Sequence, residues 1–201
     1  MEEIKIDLKK DNSEAVDLIA KKLKDGSVLI LPTDTVYGLS CLASSKKAID
    51  KIYRIKKRLR EKKFILLMKS FCMVREYCFL SVAQYKFLKE KIDKKKPLTV
   101  VLRSREKLPK YLRRENSVAI RIPARNDFLM NVLKKVNEPI VSTSLNLSGE
   151  KELIKEGEIK DFFKRKKILP EIFVNAGNPV TQKPSMIADI RNMRQIVILR
   201  K

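Results

Sequence analysis

Four polar clusters in this chain carry residue types able to do chemistry, and each one borders an apolar run. The first, residues 31–39 (LPTDTVYGL), delivers Thr33, Asp34 and Thr35 directly after Val28-Leu29-Ile30-Leu31. The second groups Lys56, Lys57 and Arg58, with Lys62 four residues further on. Cations at that spacing could clamp a triphosphate, Arg58 offering the two-pronged geometry of a guanidinium. The third, residues 141–149 (VSTSLNLSG), follows an apolar pair with Ser142, Ser144 and Asn146, whose hydroxyl and amide groups can donate to phosphate or ribose oxygens. The fourth, residues 183–189 (KPSMIAD), begins at Lys183, and strand alternation puts Ser185, Ile187 and Asp189 on one face. Each cluster also has a purely structural reading. Pro32, Asp34 and Gly38 are ordinary turn formers, the third cluster can be a capped turn, and Lys56 to Lys62 can be a solvated helix end whose cations complement the macrodipole.

Composition narrows the chemistry. The 201 residues contain no histidine, which excludes Ser-His-Asp and Cys-His nucleophilic centres and Cys/His zinc patterns. No G-x-x-x-x-G-K-[ST] or G-x-G-x-x-G run is present, so nucleotide chemistry would need a different cradle. Cys41, Cys72 and Cys78 are odd in number and lack C-x-x-C spacing, which predicts reduced, buried thiols without a disulfide or metal. Lysine and arginine total 46 against 24 acids, a formal charge of +22. Such a surface attracts polyanions by counterion release and steering, making tRNA, other RNA and phosphorylated small molecules candidate partners. The same charge also fits a lysine-rich decoration of every solvated face, since the lysines are scattered. Apolar runs of four to five residues fall far short of the roughly 20 needed to cross a bilayer, and the charged start MEEIKIDLKK is unlike a signal peptide. The expectation is a soluble, cytoplasmic protein with no membrane association, folded as one domain over residues 1–201.

The elements that must position these clusters follow from periodicity. Ala15, Leu18, Ile19 and Leu23 recur at helical spacing over residues 13–24, with Asn12 or Ser13 as N-cap and Gly26 past the end. A second helix over residues 48–55 runs out into the charged stretch 56–63, and further helices are expected at 84–92 and 128–136. Strands are expected at 28–31, 64–68, 98–102, 118–122, 140–141, 172–174, 186–190 and 196–199. This alternation predicts an α/β (α+β) fold with a sheet of mixed direction and flanking helices. Residues 149–167, highly charged and weakly patterned, read as a mobile loop followed by a short helix.

Taken in order, P-T-D-T-V-Y-G-L, K-x-R at 56–58, R-I-P at 121–123, S-T-S-x-N-L-S-G at 142–149 and P-S-x-I-x-D at 184–189 resemble the YrdC/TsaC family of threonylcarbamoyl-AMP synthases. The resemblance runs from about Ser13 to Arg200. It implies a twisted sheet with a large, positively charged concave cavity in which L-threonine, bicarbonate or CO2, and ATP give threonylcarbamoyl-AMP and pyrophosphate. That product would pass to a threonylcarbamoyl transferase complex that modifies tRNA. The short stretch after the last motif looks like the family's short form, without an extra C-terminal domain.

The resemblance also implies roles. Thr35, Arg121 and Ser185 look like threonine contacts, with Ser142 offering main chain and Thr33 shaping the turn. Lys56, Arg58, Lys62, Ser144, Asn146 and Arg200 look like the ATP set, joined by Ser117; Lys56 and Arg58 would carry most of the catalysis. Mg2+ is expected to accompany ATP, with no protein-bound metal site. Several positions depart from the family pattern: Leu59 replaces a proline, Leu42 an aspartate, Leu145 an alanine, Lys94-Lys95-Lys96 a W-P-G, and Leu67 a histidine found in some members. A second reading keeps the basic concavity but makes the chain a non-catalytic paralogue that binds double-stranded or structured RNA. Joint presence of Lys56, Arg58, Ser144 and Asn146 argues for the enzyme, because RNA binding needs charge and not that polar constellation.

Overall fold

The strand cores are apolar on both faces, and the reason lies in what each face meets. In the computed structural model, which describes residues 1–94, 96–178 and 184–200, Lys95 and Lys183 fall outside the described residues. The elements in chain order are β1 (Glu2–Lys5), α1 (Ser13–Lys24), β2 (Leu29–Leu31), β3 (Gly38–Leu42), α2 (Lys46–Lys56), β4 (Ile65–Leu67), α3 (Phe71–Tyr77), α4 (Val82–Asp93) and β5 (Leu98–Arg103). There follow β6 (Ser117–Arg121), α5 (Asp127–Val136), β7 (Ile140–Ser144), α6 (Glu156–Lys164), β8 (Ile172–Asn175), β9 (Met186–Asp189) and β10 (Val197–Arg200). The strands form one mixed sheet in the order β1-β8-β2-β3-β7-β4-β6-β5-β9-β10.

Period-two alternation sorts the strand residues between two cores. Leu29, Leu31, Ile172, Val174 and Ile140 pack against α1 and α5 through Val16, Ile19, Leu23, Phe128, Leu129 and Leu133. Ile30, Phe173, Leu39, Cys41, Leu66, Val100, Leu102 and Ile120 pack the opposite way, against α2, α3, α4 and α6. The first pair of helices covers only part of its face. Beyond β4, that face of β6, β5 and β9 carries Ala119, Arg121, Val101 and Ile187, and there the sheet is hollowed into a cavity.

Every expected helix and strand forms, with bounds shifted by one to three residues, the largest shift being β7, which runs on to Ser144. Three elements escaped the sequence reading. β1 is the charged segment EEIK, an edge strand lying parallel to β8 with mostly exposed residues, so it has no apolar run to betray it. β3 (GLSCL) begins on the turn-forming glycine, and small residues interrupt its apolar pattern. α3 has only 7 residues and an N-cap from Ser70, whose hydroxyl accepts the Met73 N–H at 3.2 Å. Residues 149–167 contain α6 from Glu156 to Lys164, as the short helix required. Asn12 does sit at the N-cap of α1, but its side chain donates to the Asp7 and Lys10 carbonyls instead of capping. The thiols need one correction: Cys41 and Cys78 are buried, whereas Cys72, in the first turn of α3, is exposed.

Candidate functional site

The cavity measures about 310 Å³ and gathers residues from all five sequence motifs. Its walls are the 32–37 turn joining β2 to β3, the end of β7, the bare faces of β4, β6, β5 and β9, and the last residues of β10. Thr33, Thr35, Arg58, Arg121, Ser142, Ser144, Ser185 and Arg200 all line it. Lys63 and Leu67 line it as well.

The turn is built by its own side chains. The Thr33 hydroxyl donates to the Val36 carbonyl at 2.6 Å and accepts the Thr35 N–H at 3.2 Å, which is how a short hydroxyl side chain substitutes for backbone pairing in a turn. Tyr37, 1% exposed, reaches from the turn to donate to the Gly177 carbonyl at 2.6 Å while accepting the Ala176 N–H at 2.9 Å. Behind the turn, Arg121 projects from the end of β6 and is itself buried. It forms an ion pair with Asp34 and donates from both terminal nitrogens to Thr35 Oγ1, at 3.2 and 3.3 Å. Its Nε is buried and has no hydrogen-bond partner among the described residues. A buried guanidinium N–H without an acceptor costs about 1–3 kcal/mol or more. Asp34 had no assigned role in the sequence reading; its signal was its place between the two threonines.

On the far wall, Arg200 donates through Nε and a terminal nitrogen to the Ser185 carbonyl, at 3.0 and 2.8 Å, and the Ser185 hydroxyl sits 2.8 Å from Thr99 Oγ1. This ties β10 to the start of β9. Arg58 is held by the Lys62 and Lys63 carbonyls, at 2.7 and 3.0 Å, with its guanidinium over the Phe64 ring at 5.2 Å. Burial pushes the Arg58 and Arg200 guanidinium pKa values below their ordinary range, and for Arg200 the nearby Arg121 charge adds to this. Arg58, Lys63, Arg121 and Arg200 thus put four cationic side chains on the described lining, Arg121 being paired with Asp34 and Arg200 acted on by Glu152. Charge of one sign within low-dielectric walls favours an anionic ligand.

Lys56 stands apart from this set. The end of α2 is ordered, with Lys57 in the left-handed region at φ 48° and the Arg58 N–H bonded to the Tyr53 carbonyl. Lys56 points inward, 1% exposed. Its ammonium donates to Ser144 O at 2.5 Å, Asn146 O at 2.9 Å and Asn146 Oδ1 at 2.5 Å. All three ammonium protons are therefore engaged by the 144–146 loop. Burial lowers the Lys56 pKa to about 7, with Arg58 adding to the lowering, while the three oxygens favour the charged form. Asn146 is equally committed, since its amide also donates to Glu150 O at 2.6 Å and its Oδ1 accepts from Ser144 Oγ. Lys56 and Asn146 shape the loop that presents Ser144, and neither lines the cavity. Lys62 is exposed and contributes its carbonyl to Arg58. Ser117 lies at the outer end of β6, its hydroxyl donating to Arg114 O at 2.9 Å.

Of the departures from the family pattern, Leu145 and Leu42 are buried in the two cores, Leu67 forms part of the cavity wall, and Leu59 is 65% exposed. Among the described residues no group of three or more His, Cys, Asp or Glu side chains is placed to hold a metal ion.

Comparison with known proteins follows the same lines. A Sua5/YciO/YrdC family model, described as telomere recombination, matches residues 21–201. A threonylcarbamoyl-AMP synthase from Hydrogenovibrio crunogenus is 36% identical over 134 residues, 65% of this chain and 72% of that protein. The Bos taurus threonylcarbamoyl-AMP synthase is 32% identical over 152 residues, 75% of this chain and 54% of its own length, so the chain spans about half of that relative. Among solved structures, Escherichia coli YciO superposes with a TM-score of 0.83 at 24% identity, covering 100% of this chain and 94% of that one. Pyrococcus abyssi Sua5 in complex with L-threonine gives a TM-score of 0.84 at 23% identity, covering 99% and 56%; the solved structures establish likeness of fold. With nine-tenths of its residues inside the family match and its five motifs in order, the chain belongs to the Sua5/YciO/YrdC family.

Proposed function

We propose that the chain is an L-threonylcarbamoyladenylate synthase, a nucleotidyltransferase that makes threonylcarbamoyl-AMP and pyrophosphate from L-threonine, bicarbonate or CO2, and ATP. The observation that carries this reading is a cavity lining that sets the Arg121 guanidinium among the hydroxyls of Thr35, Ser142 and Ser185. That arrangement suits an amino-acid carboxylate, with hydroxyls nearby for the threonine side chain. On the same cavity, Arg58, Lys63, Arg200 and Ser144 suit a triphosphate. The threonine amino group attacks the carbon of CO2 and gives up a proton, or that of bicarbonate with loss of water, to give a carbamate. A carbamate oxygen then attacks the α-phosphorus, and pyrophosphate leaves. Such a displacement requires positioning and charge neutralisation more than a protein nucleophile, which accords with a site without histidine. Mg2+ enters with the nucleotide as part of the substrate. Lys56 acts here by holding the loop of Ser144, and Lys62, Asn146 and Ser117 support the ATP side from outside the lining. The labile product is consumed by a threonylcarbamoyl transferase complex in tRNA modification in the cytoplasm. The synthase names carried by the relatives support the same reading.

The test is incubation of the purified protein with ATP, threonine and bicarbonate, with assay of pyrophosphate and threonylcarbamoyl-AMP. Absence of threonine-dependent pyrophosphate under conditions where a known synthase works overturns the proposal. Arg58→Ala should raise the KM for ATP and Thr35→Ala the KM for threonine; equal effects on both ligands contradict the division of roles.

A further inference from the structure

A second concavity lies apart from the site and shares none of its lining residues. It is an open groove of about 440 Å³ between the first turn of α4 and the 190–194 turn after β9, lined by Phe79, Gln84, Arg103, Arg191, Asn192 and Arg194, among others. Gln84 fastens the two sides, its Nε2 donating to the Ile190 carbonyl at 2.8 Å. Arg103, Arg191 and Arg194 are all exposed. Asp189 is the carboxylate closest at hand, and it is already neutralised by Arg191 at 2.7 Å; Glu115 acts on Arg191 from further off. In the same groove Phe79 is 52% exposed, and the Arg105 guanidinium stands 4.5 Å from its ring centre. Arg105 is held in place by its Nε, which donates to the Cys78 carbonyl at 3.2 Å.

An exposed aromatic ring on an otherwise cationic wall is a poor choice for solubility alone. Packing does not require it either, because Phe79 points out of the core that takes Cys78 and Leu102. Arginines neutralise phosphodiesters irrespective of sequence, and an exposed ring can stack an unpaired base. In a duplex the base faces are already stacked, so the ring would have nothing to receive. We infer that this groove binds an unpaired stretch of nucleic acid, with Arg103 and Arg194 on the phosphates and a base on Phe79. The inference is independent of the reaction proposed above.

The experiment is fluorescence anisotropy of the full chain with single-stranded RNA, single-stranded DNA and duplex probes of about 15 nucleotides, each titrated at several salt concentrations. Arg103→Glu/Arg194→Glu should weaken single-strand binding at least tenfold and lower the salt slope by about 1.4, since each phosphate contact on a single strand contributes about 0.7. Phe79→Ala should weaken binding about fivefold or more with the slope unchanged, as a stacking contact does. Lys21→Glu/Lys24→Glu, the same charge change on exposed residues of α1, should weaken binding less than threefold. Equal losses from the groove and α1 variants would mean diffuse attraction by the +22 charge and overturn the site. Tighter binding of duplex, or an unchanged affinity in Phe79→Ala, would overturn base stacking. Arg194→Ala, in an exposed turn, repeats the test should the double variant unfold. The RNA and DNA arms decide which backbone is preferred.

Discussion

Gly38 opens β3 against Ser142 of β7, and replacing it by alanine would strain the floor of the candidate site. A methyl group there would lie 2.5 Å from Ser142 Oγ, 3.4 Å from Thr33 Cγ2 and 3.5 Å from the Thr143 carbonyl. The backbone of Gly38 is not left-handed, so the obstacle is space and not φ. Forcing extra atoms into packed surroundings costs about 1–3 kcal/mol. Ser142 can relieve the overlap by turning, which gives up the 3.2 Å bond it accepts from Ser40 Oγ and costs about 1 kcal/mol. The lower unfolded-state entropy of alanine returns about 0.4–1 kcal/mol. The Ser142 rotation is part of the overpacking cost, so the net is a destabilisation of about 1 kcal/mol, or about 2–4 °C in Tm for a domain of this size. Urea unfolding of Gly38→Ala, Ser142→Ala and the double variant tests the contact directly. Ser142→Ala removes the opposing oxygen, so the double variant should be about as stable as Ser142→Ala alone, a coupling of about 1 kcal/mol. Additive losses, or a Gly38→Ala protein as stable as the parent, would refute the reasoning. Because Ser142 lines the cavity, Gly38→Ala should also raise the threonine KM, and Ser142→Ala should not reproduce the full stability loss.

Three further outcomes follow from the buried groups. Burial brings the Lys56 pKa down from the ordinary lysine value of 10.5 to about 7, so between those values the unfolded chain binds more protons and stability rises with pH. The difference in unfolding free energy between parent and Lys56→Met should therefore grow in the parent's favour above about pH 7, by at most about 1.4 kcal/mol per pH unit; a difference flat in pH would mean the three loop oxygens keep the ammonium charged. Asp34→Ala leaves the buried Arg121 charge uncompensated and should cost about 3 kcal/mol or more, and added threonine should raise the Tm of this variant more than that of the parent; an equal shift in both proteins would separate Arg121 from carboxylate binding. Burial raises the Cys41 thiol pKa and pushes Cys78 up to about 12. A thiol reagent should thus modify Cys72 quickly and the other two after unfolding, and three fast thiols would contradict the packing.

Much of the fold was legible because each strand carries its destination in its side chains. Leu29, Ile30 and Leu31 are apolar in succession because the two faces of β2 meet two different cores, and a continuous apolar run is how such a strand must read. The amphipathic spacing of α1 and α5 likewise specified the face each buries. The charged edge strand β1 was not legible, since its pairing with β8 uses backbone groups that sequence does not display. Within the site, Thr35, Ser144 and Ser185 stood out as polar residues at the ends of apolar runs, whereas Arg121 and Arg200 were nominated through the family resemblance; all five line the cavity.

What sequence could not decide was direction. Lys56 and Arg58 are two residues apart on a helix end, and by composition both are cations free to meet phosphate. The left-handed turn at Lys57 sends Lys56 into the 144–146 loop and Arg58 toward the cavity, and burial then changes the chemistry of the first. The Asp34–Arg121 pair, 87 residues apart in the chain, exists only because the β2–β3 turn folds over the end of β6. By itself the sequence determined which residues are polar and which segments can bury an apolar face, since these depend on local chemistry. Tertiary structure alone decided which polar groups satisfy one another and which remain facing the cavity, because that depends on distances between segments far apart in the chain.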